Sequence, residues 1–167
     1  MALAQKPRSV DEHGQVVAAL LAATPVIQLP LVECAGLALA EPVTSTLPLP
    51  PFDNSAMDGY AVRSVDVADA TADQPVELPV TEDIPAGRTD SPSLQRRTAH
   101  RIMTGAPMPP GADAVVPVEL TDAGLHRVRI FAARSAGQSV RRAGEDVAAG
   151  DEVLAAGAVL GPAQLGV

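Results

Sequence analysis

In the run PPFDNSAMDGYAVR, Pro50–Arg63, two carboxylates, an amide and a hydroxyl fall within six positions. Asp58 is the residue there best suited to chemistry. Gly59 follows it, which lets the backbone turn tightly and leaves the carboxylate unobstructed. An ionised carboxylate so placed can hold Mg²⁺, with waters and a substrate phosphate completing the shell. It can also position a water or assist proton transfer. The plainer role of a loop Asp is to close an Asx-turn. A second run, RIMTGAPMPPGADAVV, covers Arg101–Val116. It sets Thr104 at an expected strand end beside Gly105. A hydroxyl next to sparsely covered backbone can meet a phosphate or oxyanion, or simply complete a strand as a β-branched residue. The three prolines that follow stiffen the loop and reduce what ordering it costs on binding. A third run, RAGEDV at Arg142–Val147, carries Glu145 and Asp146 in a Gly-bounded loop, where a solvated turn is the ordinary reading.

Together these three runs resemble the molybdopterin molybdenumtransferases, the MoeA family, whose eukaryotic relatives include the E domain of gephyrin. The similarity extends from about Ser9 to Val167. Long motifs in the right order are far more specific than one short one. The resemblance implies an enzyme of molybdenum cofactor biosynthesis that moves molybdenum from molybdate into adenylylated molybdopterin, releasing AMP, with Mg²⁺. It implies catalytic roles for Asp58, Thr104 and Asp146, with Asp58 also the metal ligand. Asn54, Ser55, Gly59 and Gly105 are the candidate cofactor-binding positions. Asn54 and Ser55, with Asp53, otherwise cap the turn through side chain to backbone bonds. The family implies a homodimer, a pterin-nucleotide substrate and the molybdopterin adenylyltransferase as a further partner. In it, a segment like Gly161–Val167 leads into a third, adenylyltransferase-like domain and a fourth β domain. The expectation is therefore an N-terminal two-domain part, inactive alone. The alternative is a non-catalytic binding or assembly module of the same architecture.

Composition narrows the other classes. The net charge is −8 with 2% aromatics, so the chain lacks the phosphate-neutralising surface and stacking platforms of a nucleic-acid binder. A local basic cluster, Arg96-Arg97 with Arg101 or Arg141-Arg142, could still meet a pterin phosphate. The single Cys34 forbids an intrachain disulfide, fits a reducing cytoplasm and reads as a small core residue. Met1–Lys6 lacks the apolar region of a signal peptide, and no run reaches the ~20 apolar residues of a membrane span. There is no Cys/His cluster for zinc and no phosphate-binding Gly loop opening a helix.

The elements that must hold these residues follow from pattern. Ser9 and Glu12 form a capping box. The helix after it aligns Val10, Val17, Leu20 and Leu21 with His13 and ends at Thr24-Pro25. A short helix is expected over Leu31–Ala40, weakened by Gly36, then a strand over Pro42–Leu47. The Pro-rich Leu47–Pro51 reads as a hinge or boundary. Beyond it, strands are expected at Tyr60–Arg63, Val76–Val80, Arg101–Thr104, Ala114–Glu119 and Arg127–Phe131, separated by turns as in a small sandwich or barrel. Tyr60 is expected to pack with its hydroxyl satisfied at the rim. Asp113 reads as a turn acid, Glu119 as site-facing, and His100 as a polar intruder before the Arg101 strand. Val153-Leu154 and Val159-Leu160 read as a hairpin. The fold class expected is α+β, mostly β: an inserted compact β domain at 50–142, and a smaller discontinuous mixed domain at 1–49 and 143–167.

Overall fold

Ser9 opens the first element as its spacing requires. Its Oγ accepts from the Glu12 N–H at 3.1 Å, and the Glu12 carboxylate accepts from the Ser9 N–H at 2.7 Å. Two orphan donors are satisfied reciprocally, and helix α1 runs Val10–Ala18. The computed structural model describes residues 8–22 and 24–167. The helix stops before Thr24-Pro25, leaving Leu20 and Leu21 beyond its end. Val10, Val17, Leu20, Leu21 and His13 are all exposed, so the expected apolar face is not covered within the described residues.

By backbone proximity the chain forms two compact units. One takes the residues up to Pro42 with Ala155–Val167, and the other takes Val43–Leu154. In the first, the helix expected over Leu31–Ala40 is replaced by a 3₁₀ turn at Leu31–Glu33. Gly36 then adopts a φ of +79°, which ends the turn and which Gly tolerates best. The chain leaves it extended, and Leu37–Leu39 pairs antiparallel with Ala158–Leu160. A short helix α2, Pro162–Leu165, starts on a proline with its missing N–H at the first turn.

The second unit is mostly β. Strands are β1 Val43–Thr44, β2 Asn54–Ser55, β3 Gly59–Val62, β4 Val76–Ile84, β5 Ala99–Ile102, β6 Ala114–Pro117, β7 Arg127–Ile130, β8 Val140–Arg141 and β9 Glu152–Leu154. Five of them form one sheet in the order β6-β3-β5-β4-β7. Only β4 and β5 pair in parallel. The sheet curls until its ends meet. A 3₁₀ turn at Val118–Leu120 carries the chain from β6 round to Thr121, which bridges Ile130 of β7. Among the described residues no long edge is left open there, the usual hazard of a small sheet.

Alternation sorts the side chains into two layers. Tyr60, Val62, Leu78, Ala99, Ala114, Val116, Val128 and Ile130 fill the inside. Ala61, Ile84, Ile102 and Val115 face the other way, covered by Ala106, Met108, Ala112 and Val140. Strands β3 and β6 are buried at every position, as befits strands covered on both faces. The core is built from small and branched residues, with Tyr60 as its one large ring.

Two sequence expectations fail for the same reason, a partner far away in the chain. Val153-Leu154 does not fold back on Val159-Leu160. Strand β9 pairs with β1 instead, and Val159 bridges Ala38. The Pro-rich run is zipped into the second unit: Leu49 exchanges backbone bonds with Val147, and the Gly144 N–H donates to the Pro50 carbonyl. The units divide after Pro42 and after Leu154, whereas the sequence suggested 49 and 142.

Candidate active site at one end of the curled sheet

The start of β3 and the ends of β4, β5 and β6 lie at one end of the sheet, because Gly59 is the register partner of both Ile102 and Pro117, and Ile102 of Ile84. Asp58 immediately precedes β3 and Thr104 follows β5 by two residues. The Thr104 N–H donates to Asp58 Oδ1 at 2.7 Å, and the Thr104 hydroxyl donates to the same oxygen at 2.6 Å. Asp58 Oδ2 has no hydrogen bond among the described residues. Both side chains are exposed. Bonds from Thr104 to the charged form hold the Asp58 carboxyl below its ordinary value. The group is thus an ionised carboxylate with one oxygen fixed and the other presented.

The backbone around the pair is braced. The Val118 N–H donates to the Asp58 carbonyl, and the Met103 N–H to that of Ile84. The Gly105 N–H donates to the Ser55 carbonyl, and Ser55 N–H to that of Ala106. Gly105 adopts a φ of +79° in open space, so it makes the turn that swings Thr104 toward Asp58. Gly59 serves packing instead. A Cβ there would meet the Val116 carbonyl oxygen at 2.0 Å, a contact no side chain survives.

The other candidates have different surroundings. Asn54 and Ser55 are buried. Asn54 Nδ2 donates to the Phe52 carbonyl at 3.1 Å, and Ser55 Oγ donates to the Met57 carbonyl at 2.5 Å. Their polar atoms therefore shape the turn beneath Asp58. Asp146 is exposed in its loop, held by its backbone N–H on the Leu49 carbonyl. Among the described residues no hydrogen bond or ion pair joins it to Asp58 or Thr104. Asp113 is a cap, with its two oxygens accepting from the Ser64 N–H and hydroxyl. Glu119 is exposed in the turn after β6. Tyr60 is buried and its hydroxyl donates to the Gly124 carbonyl at 3.0 Å.

Sequence reasoning missed the reach of Asp53. Its Oδ1 accepts from the Ala143 N–H at 2.8 Å and its Oδ2 from Arg142 Nη1 at 2.5 Å. This is a latch to residues about ninety positions away rather than a local cap, and no spacing signal could disclose it. Of the basic clusters, Arg142 is held in this latch and Arg101 pairs with Asp83.

The fit of a divalent ion can be judged from these donors. Among the described residues no three His, Cys, Asp or Glu side chains gather as a cage. A single carboxylate with a free oxygen suits Mg²⁺, which keeps several waters and takes further oxygens from substrate phosphates.

A family model described as the MoeA N-terminal region, domain I and II, matches residues 8–167. The chain belongs to this family. Molybdopterin molybdenumtransferase 2 of Mycobacterium tuberculosis is 56% identical over 160 residues, covering 96% of this chain and 40% of that protein. Molybdopterin molybdenumtransferase 1 of the same organism is 42% identical, with 96% and 41% covered. Two crystal structures of the molybdopterin biosynthesis MoeA protein from Pyrococcus horikoshii superpose with TM-scores of 0.78 and 0.80, at 35% and 31% identity. They cover 83% and 93% of this chain, and 36% and 40% of theirs. The chain thus spans about two fifths of the length of these relatives. The MoeA neighbours share its mostly β, α+β fold. Among the described residues no helix is long and apolar enough to cross a membrane.

Proposed function

We propose that this chain supplies one wall of a molybdopterin molybdenumtransferase active site, with Asp58 and Thr104 as its acting residues. The reaction is insertion of molybdenum from molybdate into adenylylated molybdopterin, with AMP as the leaving product. The observation that carries this reading is the double donation of Thr104 to one oxygen of Asp58. That arrangement fixes a carboxylate in the ionised state and leaves an oxygen to act. Such a group can hold Mg²⁺, orient a water or accept a proton. Mg²⁺, when bound, supplies positive charge against the phosphoanhydride oxygens. Asp58 would hold it through Oδ2. Thr104 keeps Oδ1 in place, and Gly105, whose N–H is taken by the Ser55 carbonyl, makes the turn that brings Thr104 there. Asp146 is a further acid of the site in this reading. Asn54, Ser55 and Gly59 support the Asp58 turn from below.

The same reading extends to assembly. The unit of residues up to Pro42 with 155–167 corresponds to domain I, and the unit 43–154 to domain II. The protein acts as a cytoplasmic homodimer that completes the pocket with domains of the longer enzyme, and takes its pterin nucleotide from the adenylyltransferase. A pterin-nucleotide site is concave and largely enclosed, whereas Asp58 and Thr104 are exposed here. Residues 1–167 alone should therefore show no molybdenum transfer when given molybdate, adenylylated molybdopterin and Mg²⁺. Turnover by the chain alone near the rate of a full-length relative would refute the proposal of a single wall.

A further inference from the structure

Ser55 is bonded to both motifs that meet at Asp58 and Thr104. Its backbone serves the second run. The Gly105 N–H donates to the Ser55 carbonyl at 2.9 Å, and the Ser55 N–H donates to the Ala106 carbonyl at 3.0 Å. Two residues back, the Met108 N–H donates to the Asp53 carbonyl at 2.9 Å. Residues 53–55 and 105–108 are thus zipped side by side. The Ser55 side chain serves the first run. Its Oγ donates to the Met57 carbonyl at 2.5 Å and accepts from the Met57 N–H at 3.3 Å. With Thr104 on Asp58, these bonds close a ring. It runs from the Asp58 carboxylate to Thr104, along the chain to Gly105, across to Ser55, and through the hydroxyl to Met57, which precedes Asp58. Ser55 has no exposed surface, and the single hydrogen of its hydroxyl is spent on Met57.

We infer that Ser55 is a positioning residue for the Asp58–Thr104 pair rather than a contact for the pterin nucleotide. Its hydroxyl ties the turn that carries Asp58 to the same backbone that anchors the Gly105 turn, and so sets the two side chains at bonding distance. A serine suits the place because a hydroxyl can donate and accept at once within a small volume. Alanine there would release both Met57 groups and leave the Asp58 turn joined to the second run only through Thr104. Misplacing a reacting group by about 1 Å is enough to cost a large share of a rate. The inference rests on Asp58 and Thr104 being the acting residues of the proposed site.

The test follows the Thr104 amide proton by NMR, at one fixed pH, in the 167-residue chain and in its Ser55→Ala variant. Asp58→Ala, which lacks the carboxylate, gives the position of that signal with the bond absent. In Ser55→Ala the Thr104 signal should move most of the way toward that position, and its hydrogen exchange should quicken. The Met108 amide, bonded to Asp53 on the far side of the zip, should keep its signal. Should Ser55→Ala not fold, Ser55→Cys takes its place, since a thiol is small but a weak donor. A Thr104 signal unmoved in a less stable variant would overturn the inference. So would Thr104 and Met108 moving together, because either result marks a merely structural role. In a full-length enzyme carrying this region, Ser55→Ala should lower kcat by roughly tenfold or more, with KM little changed. A raised KM at unchanged kcat would make Ser55 a substrate contact and also overturn the inference, as would a normal kcat where Asp58→Asn abolishes transfer. The proposed reaction fails separately. If the Thr104 signal moves as expected but Asp58→Asn leaves molybdenum insertion intact, the positioning stands and the reaction assigned to Asp58 does not.

Discussion

The Pro50–Arg63 run carries two loop carboxylates, Asp53 and Asp58, and they are used in opposite ways. Asp53 spends both oxygens, one on the Ala143 N–H and one on Arg142. Asp58 spends one, on Thr104, and leaves the other without a protein partner among the described residues. Both carboxyls are held below their ordinary values, Asp53 mainly by the Ala143 N–H and then by Arg142, Asp58 by the two Thr104 donors. A lowered carboxyl therefore does not by itself mark chemistry. What separates a latch from a candidate catalyst is the count of oxygens still open.

The contrast can be broken at its frame first. Gly59→Ala would drive a methyl group into the Val116 carbonyl and should cost about 3 kcal/mol or more. Denaturant unfolding measures this, and an unchanged midpoint would mean the start of β3 tolerates displacement. Such tolerance would undercut the fixed placing of Asp58. Next in size is His100 on β5, the strand that leads to Thr104. It is buried with Nδ1 lacking a partner, and burial lowers its pKa. Folding then disfavours the imidazolium. Stability should be full above the ordinary histidine value of 6.5 and fall as the pH drops below it. His100→Leu should remove that acid limb and stabilise the chain at neutral pH by about 1 kcal/mol. A pH–stability profile identical in the two proteins would contradict this. It would also return the acid sensitivity to the carboxylates.

Asp53→Ala should cost less, about 1 kcal/mol, because the latch is partly exposed. With a lowered carboxyl its contribution is present at neutral pH and is lost as the pH falls through the folded value, below the usual carboxylate range. Hydrogen exchange at Ala143 and Glu145 should quicken in this variant. Protection left as before would show that the 142–145 loop is held without Asp53.

Much of this was legible where the controlling interactions are local. The Ser9–Glu12 capping box and the Gly after Asp58 each act over a few residues, and the start of α1 and strand β3 lie within a residue of expectation, although α1 ends at Ala18, well short of Thr24-Pro25. Strand β4 runs on to Ile84 past its expected end at Val80, because after an irregularity at Thr81 it finds β5 alongside. The polar Thr81-Glu82-Asp83 gave no hint of that partner. The hairpin at 153–160 and the local cap at Asp53 were misread for a related reason: the true partners are Val43, Ala38 and Arg142, each brought in by the fold. The meeting of Asp58 and Thr104 is also long-range, over 46 positions. No spacing rule links them; the family resemblance named both as site residues without showing the contact. The exposed α1 face shows the limit of periodicity. It marks an apolar stripe truly, but not what covers it.

The central claim is that Asp58 acts through its open oxygen while Asp53 only holds the fold. The direct measurement is molybdenum insertion by a full-length enzyme carrying this region, comparing Asp58→Asn with Asp53→Asn at matched folded concentration. Asp58→Asn keeps an acceptor for Thr104, so its melting should stay close to that of the parent. Its transfer rate should nevertheless fall by roughly a hundredfold or more, the scale of a lost charged or acid–base group. Asp53→Asn should melt earlier yet transfer normally per folded molecule. Normal transfer by a well-folded Asp58→Asn enzyme would contradict the account.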